Sequence, residues 1–90
     1  MPYVYIVECA DGSLYTGWAV DVVQRVKVHN AGRGARYTRM HGPVKLVYAE
    51  EQPDRIAAQR RELEIKRWPR EKKLKLIGDQ LTKDQGSLEH

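Results

Sequence analysis

Tyr3-Val4-Tyr5-Ile6-Val7-Glu8-Cys9-Ala10-Asp11-Gly12-Ser13-Leu14-Tyr15-Thr16-Gly17-Trp18 is the stretch that decides how this chain folds. Tyr3 to Cys9 is dense in β-branched and aromatic residues, and Leu14 to Trp18 is a second short run of strand character. Asp11-Gly12 between them is turn chemistry. Two registers are open. A two-residue Asp-Gly turn pairs Cys9 with Leu14 and Tyr5 with Trp18, which sends Tyr5 and Tyr15 to opposite faces. A three-residue loop, Ala10 to Gly12, with Gly12 left-handed, pairs Val7 with Tyr15 and Tyr5 with Gly17. Both phenols then share a face. The second register is the expected one, and only it lets the two phenols act together.

Working outward, Asp21 is an N-cap and Gln24 completes a capping box, so a helix is predicted from Val22 to about Ala31, stopped by Gly32. Val22, Arg25, Val26 and His29 fall on one arc of that helix, with Arg25 and His29 one turn apart. Residues 32 to 43 are expected as a loop carrying Arg33, Arg36, Tyr37 and Arg39. Lys45 to Glu50 is a third strand. Pro53-Asp54 starts a second helix running to Trp68, and Pro69 starts a third that ends near Ile77-Gly78, with Leu74 and Ile77 facing inward.

The chain has 90 residues, the size of one small domain, with a core that is feasible without staples. Its only cysteine, Cys9, excludes an internal disulfide, which fits a reducing cytoplasmic setting. The first residues contain Glu8 and Asp11 and lack a basic run, so they do not read as a signal peptide. No apolar run approaches the roughly 18 residues of a membrane span. A formal charge of +4 and a pI near 9.4 suit a nucleic-acid partner without demanding one. Residues 1–80 are expected as the single domain. Residues 81–90 are expected as a frayed tail whose last residues, Leu88-Glu89-His90, read as the start of a vector-encoded histidine tag.

Several side chains have chemistry to offer. The Arg25 fork can hold a phosphate and stabilise charge growing on its oxygens. One turn on, the His29 imidazole can move a proton or bond to a phenol. Tyr5 and Tyr15 are poor bases at their ordinary pKa of about 10, and become plausible ones beside Arg25 and a metal. Gly17, a glycine inside a strand, marks close approach of another group, read here as a sugar-phosphate backbone. Glu62, beside Ala58 and Ile65 on the second helix, is a carboxylate at the margin of a buried stripe. It can bind a hard cation such as Mg²⁺ or, more simply, pair with Lys66. Arg33, Arg36, Tyr37 and Arg39 interleave charge with an aromatic and can track a nucleic-acid backbone. The basic run Lys66, Arg67, Arg70, Lys72, Lys73 and Lys75 reads as an exposed face or a phosphate-contacting flank. Trp18, Trp68 and Cys9 read as core, and His41 as a loop residue. With no CxxC or HExxH pattern, zinc is not expected.

The ordered set Tyr3-Val4-Tyr5, Tyr15-Thr16-Gly17, Arg25-x-x-x-His29 and a late helical Glu62 resembles the GIY-YIG nuclease superfamily, most closely its small stand-alone bacterial members. The resemblance covers about residues 2 to 77 and includes the Gly32-to-Thr38 loop. It implies an α+β fold with a small three-stranded antiparallel sheet flanked by three helices. It also implies phosphodiester hydrolysis with one divalent metal, Mg²⁺ or Mn²⁺. Tyr5, Tyr15, Arg25, His29 and Glu62 would be the catalytic positions. One phenol with His29 would help deprotonate the attacking water, Arg25 would hold the scissile phosphate, and Glu62 would bind the metal. Gly17, Arg33, Arg36, Tyr37, Arg39 and Lys66 would meet the nucleic acid. Two positions depart from the pattern: Tyr3 stands where the first motif has its glycine, and Thr16, expected to face away from the site, where the second has isoleucine.

The function expected is that of a metal-dependent endonuclease acting on DNA. Branched, nicked or damaged forms are the candidate substrates, in repair or recombination, with a protein partner as one route to substrate selection. The alternative is a nucleic-acid-binding module of the same fold without catalysis. DNA against RNA, the phenol that assists the water, and the oligomeric state are left open by the sequence.

Overall fold

A computed structural model describes the backbone of residues 1–88 and the side chains of residues 1–81. The elements run β1 (Tyr3–Cys9), β2 (Leu14–Ala19), α1 (Val22–Asn30), α2 (Arg36–His41), β3 (Val44–Glu51), α3 (Arg55–Lys66) and α4 (Arg70–Leu88). The sheet is antiparallel in the order β2-β1-β3. The expected α+β architecture is therefore present. It has one helix more than expected, because residues 36–41 form a short helix where a loop was predicted.

The hairpin adopts the three-residue loop. Gly12 has φ +86°, its N–H bonds the Cys9 carbonyl, and the Cys9 N–H bonds the Ser13 carbonyl at 2.8 Å. Asp11 Oδ1 accepts from both the N–H and the hydroxyl of Ser13, which ties the loop's own side chains into the turn. Val7 pairs with Tyr15 and Tyr5 with Gly17, so both phenols stand on one face. β3 covers the other edge of β1 with a bulge opposite Ile6/Val7. The bulge breaks the alternation: consecutive residues Val47 and Tyr48 both pack against the same core.

The sheet separates two cores. On one face Tyr5, Val7, Cys9, Ala19 and Val44 pack against Val22 and Val26 of α1. On the other, Val4, Ile6 and Tyr48 pack against Ala58 and Ile65 of α3 and Ile77 of α4. Trp18 and Trp68 lean on this second core, as expected. Leu74 does not: it is exposed, and Leu76 occupies the packing position instead. Above this core Glu50 accepts from Tyr48, Gln52 and Arg61, joining β3 to α3 through one carboxylate.

Asp21 Oδ1 caps α1 by accepting from the Gln24 N–H at 3.0 Å. The helix ends as predicted at Gly32, φ +77°, with Arg33 N–H bonding the Val28 carbonyl. Asn30 then exchanges two hydrogen bonds with the Val44 backbone and fixes α1 to the start of β3. α4 does not stop at Gly78 but continues to Leu88. Of the presumed tag remnant, Glu89 and His90 lie outside the described residues. Among the described residues no helix is long and apolar enough to cross a membrane.

Candidate active site

The β1 pleat points Tyr5 into the α1-side core, where it is 1% exposed. Its hydroxyl lies 2.8 Å from Nε2 of His29, itself 3% exposed. His29 Nδ1 lies 2.7 Å from Thr38 Oγ1, and that hydroxyl donates its own proton to the Ala35 carbonyl at 2.9 Å. The Thr38 proton is thus committed, so Thr38 accepts from Nδ1–H. Nε2 is then the bare nitrogen and accepts from Tyr5. A directed chain results: Tyr5 O–H to His29 Nε2, His29 Nδ1–H to Thr38, Thr38 O–H to Ala35.

Two glycines permit this chain. A Cβ on Gly17 would stand 2.5 Å from the Tyr5 hydroxyl oxygen and 2.7 Å from Cζ. The space above Gly17 is therefore filled by the Tyr5 phenol, which corrects the expectation that it receives a sugar-phosphate backbone. A Cβ on Gly34 would stand 2.9 Å from the His29 Cα, a backbone atom that cannot swing aside. The segment after α1 is thereby laid directly over the imidazole.

Tyr15 is half-buried, with its ring edge-on to His29 at 5.6 Å and the Lys66 ammonium 5.7 Å above it. Burial raises the pKa of both phenols. For Tyr5 the neighbouring Tyr15 adds to this, and for both the Glu62 carboxylate raises and Arg25 lowers it. Glu62 and Arg25 are thus both within electrostatic reach of the two phenols, although α3 packs on the opposite face of the sheet. β2 is an edge strand, and Lys66 at the C-terminal end of α3 lies over the Tyr15 ring.

Burial, followed by Arg25, lowers the His29 pKa from its ordinary 6.5, so the imidazole is neutral at pH 7. The sign of the linked stability follows. The folded chain binds this proton more weakly than the unfolded chain, so the His29 contribution is complete above about 6.5 and is lost as pH falls through the depressed folded value. Wild type should therefore lose denaturation midpoint between about pH 7.5 and about pH 5, and His29→Asn should lose less. Equal losses in the two proteins would show that His29 is not the group responsible.

Arg25 is exposed and makes no ion pair among the described residues. It lines a hollow of about 520 Å³ with Trp18, Gln24, Val28 and Arg55. Tyr15 lines a different one, of about 220 Å³, with Tyr37, Lys66 and Lys73. The five candidate residues are thus brought within interaction range, but they do not open onto one shared hollow, because Tyr5 and His29 are sealed in the core. Arg33, Arg36 and Arg39 are exposed and unpaired among the described residues. Tyr37 stacks on Tyr15 at 6.1 Å and on His41 at 4.3 Å, so a base stacking there would compete with its own neighbours. His41 is accordingly part of this aromatic column and not a free loop residue.

The metal question falls on Glu62. Its side chain is 17% exposed and sits 3.7 Å from the Lys66 ammonium. Among the described residues no group of three or more His, Cys, Asp or Glu side chains is arranged to hold a metal. A lone carboxylate fits Mg²⁺ or Mn²⁺ completed by water and substrate phosphate, and does not fit a cation held by protein alone. Thr38 and Gly34 escaped the sequence reading as site residues. The one signal was their place in the Gly-rich segment directly after His29.

Residues 1–75 match the model of the GIY-YIG catalytic domain. A UPF0213 protein of Staphylococcus saprophyticus is 53% identical over 77 residues, covering 86% of this chain and 94% of that protein. A UPF0213 protein of Staphylococcus aureus is 56% identical over 75 residues, covering 83% and 92%. The solution NMR structure of a UPF0213 protein from Bacillus halodurans superposes with a TM-score of 0.55 at 48% identity, covering 87% of this chain and 84% of that one. A GIY-YIG domain points to nuclease activity and a nucleic-acid substrate in general, typically with divalent metal. With its domain match, its relatives and its sheet in agreement, the chain belongs to the GIY-YIG family, in the UPF0213 group.

Proposed function

We propose that this protein is a metal-dependent endonuclease that hydrolyses phosphodiester bonds of DNA, with branched or damaged DNA as its substrate class and the cytoplasm as its setting. The observation that carries the reading is the directed chain from Tyr5 through His29 to Thr38. An inward phenol bonded to a neutral imidazole fixes that ring against the accessible phenol of Tyr15, and two glycines keep space for the arrangement.

In this mechanism Arg25 grips the scissile phosphate with its free guanidinium and offsets charge developing on the non-bridging oxygens. Tyr15, the more accessible phenol, orients the attacking water. Tyr5 and His29, sealed behind Tyr15, do not meet that water; their bond and Nδ1–H···Thr38 hold the imidazole edge-on to the Tyr15 ring, which leaves Tyr15 as the phenol that faces the water. Glu62 would hold the divalent cation, whose Lewis acidity stabilises the leaving oxygen. Lys66 neutralises Glu62 in the free protein.

Glu62→Gln tests this directly. It keeps the shape and removes the charge. DNA binding should persist while cleavage in Mg²⁺ or Mn²⁺ falls by at least roughly two orders of magnitude. Unchanged cleavage in this variant would remove Glu62 from the chemistry. The second reading, a non-catalytic nucleic-acid-binding module, draws on the Glu62–Lys66 pair and on there being, among the described residues, no group of three or more His, Cys, Asp or Glu side chains arranged to hold a metal. It requires wild type to bind without cutting.

A further inference from the structure

On the flank of Tyr15 lies a feature that the hydrolytic chemistry leaves unused. Leu14, Tyr15, Thr16, Tyr37, Lys66 and Lys73 enclose a hollow of about 220 Å³ against the edge strand β2. Lys73, from α4, is half-buried and makes no ion pair among the described residues. Lys66, from α3, enters from a separate helix and shares its charge with Glu62. Thr16, facing away from the phenols as expected, is 2% exposed, and its Oγ1 is the one buried side-chain polar atom without a partner among the described residues.

We propose that Lys66, Lys73 and the Thr16 hydroxyl form a site for a second backbone phosphate of the bound nucleic acid, beside the one held by Arg25. This rests on the nucleic-acid reading above and adds Lys73 and the Thr16 hydroxyl to it. In the free protein the arrangement is unfavourable in two ways. Two ammonium groups line one hollow, and the Lys73 pKa is lowered by burial and then by Lys66. A hydroxyl is also buried without an acceptor. One anion with several acceptor oxygens relieves both, and phosphate is the group a nucleic-acid backbone supplies. A cation on Glu62 would free Lys66 for the same anion. Half-buried Lys73 also differs from the rest of the basic α4 surface, where Lys72 lies over Trp68 and Lys75 is exposed.

The test is binding of a fluorescein-labelled flapped DNA, by anisotropy in EDTA across a salt series. Without metal, cutting plays no part in the readout. Lys73→Ala should bind several-fold more weakly and flatten the slope of log affinity against log salt by about 0.7–0.9, the value of one phosphate contact. Lys73→Arg should keep that slope, and Lys75→Ala should change it less. Thr16→Val should melt at or above the wild-type temperature, having lost an unpartnered hydroxyl, and yet bind more weakly. That combination separates a ligand contact from a folding defect. If wild type binds with a steep salt dependence while Lys73→Ala and Thr16→Val match it, this site is refuted and the proposed function stands. A Lys73→Ala loss no larger than that of Lys75→Ala reduces the effect to overall charge and also refutes the site. Wild type without salt-dependent binding overturns both proposals.

Discussion

Arg25→Ala is expected to slow phosphodiester cleavage by roughly two to three orders of magnitude, the usual cost of removing a donor that meets developing charge. The fold should be untouched. Arg25 is exposed, makes no ion pair among the described residues, and leaves no buried partner behind. Its removal should move stability by no more than about 0.5 kcal/mol. Binding should weaken only as the loss of one phosphate contact requires. Arg25→Lys should recover charge without the planar fork and so restore little of the rate. Single-turnover cleavage with a parallel thermal melt checks both halves. A wild-type rate in Arg25→Ala would mean that the guanidinium never meets the scissile phosphate, and the mechanism would lose its anion clamp.

Gly17→Ala should have the second large effect, through stability and activity together. The added methyl would overlap the Tyr5 hydroxyl and Cζ, and Tyr5, 1% exposed, has nowhere to move. Overpacking of this kind costs about 1–3 kcal/mol. Any relief must drag the phenol off His29 Nε2 and break the chain that fixes the imidazole against Tyr15. Adding Tyr5→Phe to Gly17→Ala should recover part of the stability and none of the activity. Gly12→Ala supplies the contrast. Its Cβ meets nothing within 4 Å, so only its φ of +86° resists the change. It should lower stability by about 1 kcal/mol while leaving cleavage intact. Equal loss of cleavage in the two alanine variants would argue that Gly17 acts only through general stability.

The hairpin's strands and turn were legible, but Asp11-Gly12 left two registers open, and the one that places both phenols on one face was expected because only it lets them act together. The α1 cap and its Gly32 stop were legible for similarly local reasons. α2 was not. In Arg36–His41 only Thr38 is buried, so no apolar stripe announces a helix. Thr38 acquires its role from a hydrogen bond to a side chain nine residues earlier, which no local pattern encodes. Gly17 was singled out for the right reason, close approach, but the approaching group comes from its cross-strand partner and not from a ligand. Gly78 was read as a stop, yet α4 passes through it, because a glycine only weakens a helix that other residues continue. The β3 bulge lay beyond the sequence for a related reason. Two consecutive side chains on one face contradict the strand period, and only packing beneath the sheet selects them.

The most direct measurement is cleavage by the purified wild-type chain of a panel of nicked, flapped, forked and four-way DNA, with matched RNA, in Mg²⁺, in Mn²⁺ and in EDTA. At least one DNA form should be cut in the presence of either metal and none in EDTA. Binding to these substrates without a cut in any of them, with either metal, would contradict the endonuclease assignment.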